Sequence, residues 1–134
     1  VRYRRNPARL GAAGNHWAAL PEARGEWVAV LNHDDRWQPD YLTRMMAEVA
    51  GQSDVVLAFC DHDVIDTDGR PLPAEADRLS AYYGRDRLTP GRQPSLPALA
   101  VRQAVPLAMG AVFRRSAVDL NALPGDAGPA YDLW

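Results

Sequence analysis

The sequence predicts an α/β fold, a mostly parallel sheet with covering helices of the Rossmann-like kind. Three observations carry that prediction. Short apolar runs alternate with amphipathic segments in the order strand, helix, strand, helix, strand over the first sixty residues. The runs Trp27 to Leu31 (WVAVL) and Val55 to Cys60 (VVLAFC) are continuously apolar, as strands covered on both faces are. Each of these two runs ends in a burst of acidic and polar residues, and in open α/β sheets ligands bind beyond the carboxyl ends of the strands.

Taken in order, Val1 to Arg5 alternates apolar and polar side chains as a half-buried strand does, and Asn6-Pro7 breaks it. Gly11 to Arg24 has helical content, with Pro21 disturbing the last turn and Gly25 ending it. After WVAVL and its polar end, Pro39 opens a helix to Ala50 with Leu42, Met45, Met46 and Val49 on one face; Pro39 suits a first turn because it has no amide hydrogen to lose. VVLAFC is the next strand, and Asp68-Gly69 signals a turn. Residues 70–97 are rich in proline, glycine and arginine and read as a long, loop-like excursion with at most a helical turn near Ala74 to Tyr83. Ser95 to Gln103 reads as a short helix and Leu107 to Arg114 as a strand. Ser116 is placed to cap a helical turn, and Asn121 to Pro129 is loop.

A chain of 134 residues is one domain, large enough to bury a core without disulfides. The lone Cys60 excludes an intramolecular disulfide framework and fits a small core residue. The longest apolar stretch, Ala98 to Val112, is interrupted by Arg102, Gln103 and Pro106, so nothing approaches the roughly 20 residues of a membrane helix. A net charge of -2 gives no general attraction to nucleic acid. All 15 basic residues are arginine, which reads as codon bias, while arginine's bidentate grip on phosphate keeps a local phosphate role open. The chain starts at Val1 inside a strand-like segment and stops at Trp134 in what reads as a helix start, the pattern of a piece of a longer protein.

Asn32-His33-Asp34-Asp35 follows WVAVL directly. Two adjacent carboxylates at a strand end repel unless a cation or water relieves them, and a hard divalent ion with oxygen ligands does so. The competing reading is a solvated Asp-Asp turn ahead of the Pro39 helix. Asp61-His62-Asp63 follows the next strand and would lie beside the first cluster if the strands are neighbours. Asp61 then reaches a metal, a ribose or a sugar, or else belongs to an acidic turn, as Asp66 to Gly69 does. His33 and His62 lack a second ligand at zinc spacing and read as exposed or hydrogen-bonding histidines. There is no P-loop, no Gly-x-Gly-x-x-Gly and no Gly-x-Ser-x-Gly elbow, which weighs against kinases, dinucleotide oxidoreductases and serine hydrolases.

The segment VRYRRNPARLGAAGNHWAALPEARGEWVAVLNHDDRWQPDYL resembles family 2 glycosyltransferases almost throughout. Arg5-Asn6 and Leu10-Gly11 match the end of a family strand and the step after it. Asn15 matches an asparagine early in the next helix, and Gly25-Glu26-Trp27 the entry to the central strand. NHDDRWQP matches the acidic Asp-x-Asp-type motif with its trailing aromatic and proline, with Asn32 standing in the first acidic position. DVVLAFCDHDVIDTDGRPL, AMGAVFRRSAV and PAYDLW resemble the next strand and turn, the acceptor-side wall, and the motif that supplies the catalytic base. In the last of these the usual Glu-Asp pair is not intact: one register replaces it with Pro129-Ala130, the other makes Asp132 the base, and Asp132 is the carboxylate available there besides Asp126.

The resemblance implies a GT-A fold and an inverting transfer of a sugar from a nucleotide-diphosphate donor to a hydroxyl of a glycan, lipid or protein, in bacterial polysaccharide or cell-wall synthesis. It assigns residues 1–69 to the nucleotide-sugar-binding half, 70–105 to a variable excursion and 106–134 to the acceptor side of one partial catalytic domain. The family's first strand would precede Val1. The implied donor contacts are Asn6, Asn15, Asn32, Asp34, Asp35 and Asp61, with Asp34 holding manganese or magnesium. Gly110, Arg114 and Arg115 fall on the acceptor side, and Asp132 is the implied base. Gly110 would let the backbone approach a sugar, and the two arginines would meet phosphate or acceptor. The implied location is the cytoplasm, with membrane association through regions outside the chain. A binding module of this fold without turnover is the runner-up, favoured by Asn32 and the altered acidic pair. A nucleotidyltransferase is the third class; it needs a glycine- and basic-rich phosphate loop near its first strand, a region expected to precede Val1.

Overall fold

The computed structural model of the chain describes residues 2–106, 108–119 and 121. Its elements run α1 (Gly11–Ala19), a 3-10 turn (Leu20–Glu22), β1 (Trp27–Ala29), α2 (Tyr41–Val49), β2 (Leu57–Phe59), α3 (Pro73–Tyr83), a 3-10 turn (Arg85–Arg87), α4 (Leu96–Val101), β3 (Ala111–Arg114) and a last 3-10 turn (Arg115–Ala117).

The sheet has the order β1-β3-β2, and both pairings are antiparallel. This corrects the expected mostly parallel sheet. The helix-linked strands β1 and β2 do run in one direction, as the alternation implied, because each is antiparallel to β3. They do not bond to each other, since the late strand β3 inserts between them and supplies every ladder hydrogen bond. Val112 is opposite Ala29 on one side and Ala58 on the other. The central strand is accordingly the most buried, with Ala111 and Val112 at 0% and 1% exposure.

A geometric consequence positions the site. The carboxyl ends of β1 and β2 emerge at the same end of the sheet, where β3 begins. The Cys60 amide donates to the Gly110 carbonyl at 2.9 Å, extending the β2–β3 ladder to that end.

One helix face packs as its pattern dictates. In α2, Met45 and Val49, four residues apart, are buried, while Leu42 and Met46 stay largely exposed, so the apolar stripe is narrower than the sequence pattern. Pro39 lies before this helix, which is entered through Asp40, and does not occupy its first turn. Leu99 of α4 with Ala104, Val105 and Ala111 forms a core cluster against Leu57, Phe59 and Leu88. Ser95, where the sequence places the start of a short helix, caps α4 by accepting from the Ala98 amide. Helix α1 faces the sheet across an apolar cleft of about 660 Å³ lined by Trp17, Leu20, Val28, Leu57 and Phe113, among others.

Three further expectations are corrected. Residues 2–5 make no sheet pairing; Arg2 and Arg4 instead reach Glu22. The excursion is ordered: α3 runs eleven residues, from Pro73 in the first turn to Gly84, whose left-handed φ of 71° closes the helix with its amide turned back to Ser80 and Ala81. No residue of α3 is fully buried; its half-buried positions, Ala76, Leu79, Ser80 and Tyr83, make only a weak stripe. Ser116 sits inside the last 3-10 turn and caps nothing; Arg114 precedes that turn. Among the described residues no helix is long and apolar enough to cross a membrane.

Candidate active site

The acidic segment after β1 folds as a tight turn. The Asp35 amide donates to the Asn32 carbonyl at 3.3 Å, and Asn32 Nδ2 donates to Asp35 Oδ2 at 3.1 Å. This explains an asparagine in the first acidic position: its amide satisfies Asp35, where a third carboxylate would repel it. Asp34 is thereby left turned outward, its side chain 72% exposed, with His33 Nδ1 3.7 Å from its carboxylate. The rest of the motif is tied down. Trp37 Nε1 donates to the Met109 carbonyl at 2.9 Å, and its ring stacks on Tyr41 at 4.8 Å. The Tyr41 hydroxyl is buried without a hydrogen-bond partner among the described residues, and burial, with the neighbouring Cys60, pushes its pKa up to about 12, so it stays a neutral phenol. The Arg36 guanidinium lies against Gly69, whose φ of 82° is the reason that turn favours glycine.

The second acidic segment, after β2, is held from the excursion. Asp61 Oδ1 accepts from Arg85 Nε at 2.7 Å and from the His62 amide at 2.9 Å, and Oδ2 accepts from Ser80 Oγ at 2.5 Å. Burial would raise this carboxyl, but the bonds from Ser80, the His62 amide and Arg85 together outweigh it and hold its pKa below the ordinary value. A cleft of about 640 Å³ opens here between residues 61–63 and α3, lined by Asp61, Asp63, Ala76, Asp77 and Ser80, among others.

His62 connects the two segments electrostatically. Burial first, then the Arg85 charge, lowers its pKa against the opposing pull of Asp61, Asp35 and Asp63. The unfolded chain therefore takes up a proton that the folded chain refuses, and stability falls as pH drops below about 6.5 toward the lower folded value. Thermal midpoints recorded from pH 7.5 to 5.5 are expected to decline in the parent and to decline less in His62→Gln. Equal slopes would remove His62 as the source.

The structure brings the sequence-predicted residues together in two groups. Asn32, Asp34, Asp35 and Asp61 gather at the carboxyl ends of β1 and β2. Asn6 and Asn15 pair with each other, Nδ2 to Oδ1 at 2.8 Å, which fixes the segment before α1 to its first turns. Two placements depart from expectation. The space beside Gly110 is filled, since a Cβ there would come within 3.0 Å of the Cys60 carbonyl and of Pro106 Cγ; its lack of a side chain serves close packing of β2 on β3. Arg114 and Arg115 lie at the opposite end of the sheet, beside the start of β1. Arg114 pairs with Glu26, donates to the Val55 carbonyl at 3.2 Å and covers the Trp27 ring at 4.6 Å, while Arg115 donates to the Gly25 carbonyl at 3.1 Å. Asp132 lies outside the described residues. Sequence reading missed Ser80 and Arg85, which sit in a stretch without periodicity. An arginine in Arg85-Asp86-Arg87 carries no local sign of burial.

Asp34 and Asp35 offer hard oxygen donors suited to magnesium or manganese, which take much of their coordination from phosphate and water. No three His, Cys, Asp or Glu side chains among the described residues form a closed metal cage. An open edge with one free carboxylate fits an ion shared with a phosphorylated ligand better than a structural metal.

Comparison with known proteins matches residues 1–119 to the family model described as glycosyl transferase family 2. A succinoglycan biosynthesis protein, ExoO, of Rhizobium meliloti (strain 1021) is 42% identical over 62 residues. That match covers 46% of this chain and 18% of the relative's length. No solved structure matches the chain.

Proposed function

The chain belongs to glycosyl transferase family 2, and from that membership we propose that the acidic edge at the carboxyl ends of β1 and β2 binds a nucleotide-diphosphate sugar for transfer to a hydroxyl acceptor. The observation that carries this reading is Asp34. It is an exposed carboxylate without a hydrogen bond among the described residues, on a turn closed by the Asn32–Asp35 bond and followed by Trp37, whose indole donates to the Met109 carbonyl. The arrangement leaves one oxygen ligand free on a rigid base. The similarity to the succinoglycan protein supports polysaccharide synthesis as the setting.

A bound magnesium or manganese ion would neutralise diphosphate charge and so stabilise the leaving group. Asp34 would hold that ion. Asn32, through its bond to Oδ2, orients Asp35 in the same turn. Asp61 accepts a donor hydroxyl. Asp132 takes the proton from the acceptor hydroxyl as that oxygen attacks the anomeric carbon from the face opposite the leaving diphosphate, which inverts the centre.

Manganese titrations followed by EPR, with and without UDP, GDP and dTDP, test the reading. One of these nucleotides is expected to tighten manganese binding about tenfold, the effect of roughly 1.4 kcal/mol of added interaction. Enhancement by none of the three would remove the donor-site assignment.

A further inference from the structure

We propose that Ser80 and Arg85, both from the excursion between β2 and β3, are positioning residues that aim the Asp61 carboxylate at a hydroxyl of the donor, on the ribose or on the transferred sugar. The proposal rests on the donor-site reading above and adds to it the residues that hold Asp61 in place.

Arg85 is the one charged residue buried among the described residues, its side chain 4% exposed. A buried guanidinium is costly to desolvate, and replacing such a pair by apolar side chains is often neutral or stabilising, so the fold alone does not call for it. Its partner is not buried with it: Asp61 is 48% exposed. The Tyr83 ring, 5.1 Å from the guanidinium, backs the arginine, leaving the carboxylate toward solvent.

The bonding of Asp61 is nearly but not fully taken up. A carboxylate has about four acceptor positions. Oδ1 uses two, for Arg85 Nε and the His62 amide; Oδ2 uses one, for Ser80 Oγ. One acceptor position on Oδ2 remains, on a side chain that three donors have fixed and kept ionised. Asp61 and Ser80 also line the cleft of about 640 Å³ under α3, a size within the range of small-molecule sites. A fixed acceptor in a polar cleft suits a sugar hydroxyl, which donates one hydrogen bond and gains little from a mobile carboxylate.

The test measures dissociation constants by calorimetry in saturating manganese, for UDP and for UDP-glucose. Should GDP or dTDP be the nucleotide that enhances manganese binding, that nucleotide and its glucose ester replace them. Ser80→Ala removes one bond on an exposed helix and is expected to weaken binding about fivefold, Asp61→Asn about tenfold, and the double variant no more than Asp61→Asn alone. Ser80→Thr, which keeps the hydroxyl, should restore the parent value. Losses for UDP and UDP-glucose alike assign the hydroxyl to the ribose; losses for UDP-glucose alone assign it to the hexose. Parent-like affinity in Ser80→Ala, or additive losses in the double variant, would overturn the positioning role while leaving the donor site standing. Absence of metal-dependent nucleotide binding in the parent would instead sink the donor-site reading on which it rests. Arg85→Lys should follow Ser80→Ala in direction with a larger loss; because it perturbs a buried site, the Ser80 variants carry the decision.

Discussion

Asp34→Ala is expected to cut sugar transfer about a thousandfold, since a metal held at a leaving diphosphate supplies several kcal/mol and each 1.36 kcal/mol is a factor of ten. The same substitution should move the thermal midpoint by no more than about 2 °C, the size of effect usual for an exposed residue. Asp34 has no hydrogen bond among the described residues to lose, and its side chain is 72% exposed. The contrast with Asp35 sharpens the test. Asp35 accepts from Asn32 and helps close the turn, so Asp35→Ala removes structure as well as charge. Transfer rate and melting curve, read together on the two variants, separate a ligand from a turn former. Full transfer by Asp34→Ala would mean that the acidic edge is not where the donor's charge is met.

Gly110→Val is expected to lower stability by about 3 kcal/mol, from overpacking and a weakened ladder bond, and to lower the thermal midpoint by roughly 10 °C. The atoms a new Cβ would press on, the Cys60 carbonyl oxygen and the Pro106 ring, belong to backbone and to a closed ring and cannot swing aside. The Cys60 amide to Gly110 carbonyl bond lies at the same junction. Gly110→Ala should show the smaller form of this loss, about 1 kcal/mol. Urea denaturation of the three proteins checks the grading, and an unchanged midpoint in the valine variant would show slack in the β2–β3 junction. Donor affinity should fall with it, because Trp37 anchors the acidic turn to Met109, the residue next to Gly110.

What the sequence made legible was local. WVAVL and VVLAFC announced β1 and β2 through their unbroken apolar character, Ser95 announced the start of α4, and the succession from Arg5-Asn6 to NHDDRWQP carried the family resemblance that comparison established. Pairing was not legible. Nothing in Ala111 to Arg114 says that it will slide between two strands that precede it; that choice is made by the faces and edges those strands present. Helix α3 was hidden for a different reason. Its residues are at most half-buried, at Ala76, Leu79, Ser80 and Tyr83, so the periodic signal that betrays a helix is weak, and the prolines around it read as loop. Arg85 was invisible because burial of a charge depends on a partner, and its partner lies twenty-four residues back at the end of β2. The acidic residues were recognisable as a group; which of them is free and which is held only the fold reveals.

The place of β3 at the centre of the sheet has a consequence in time. Among the described residues β1 and β2 bond only to β3, so until residue 111 has been made neither has its ladder partner, with Trp27 waiting for Arg114. At about 5–20 residues per second the interval between β1 and β3 is on the order of ten seconds. Throughout it, the strand edges and the apolar side chains of Val28, Leu57 and Phe59 lack their final partners, and closure over so long a loop is intrinsically slow. The two acidic turns are brought to one edge only by that last pairing, so the place where they stand together is the latest part of the sheet to form.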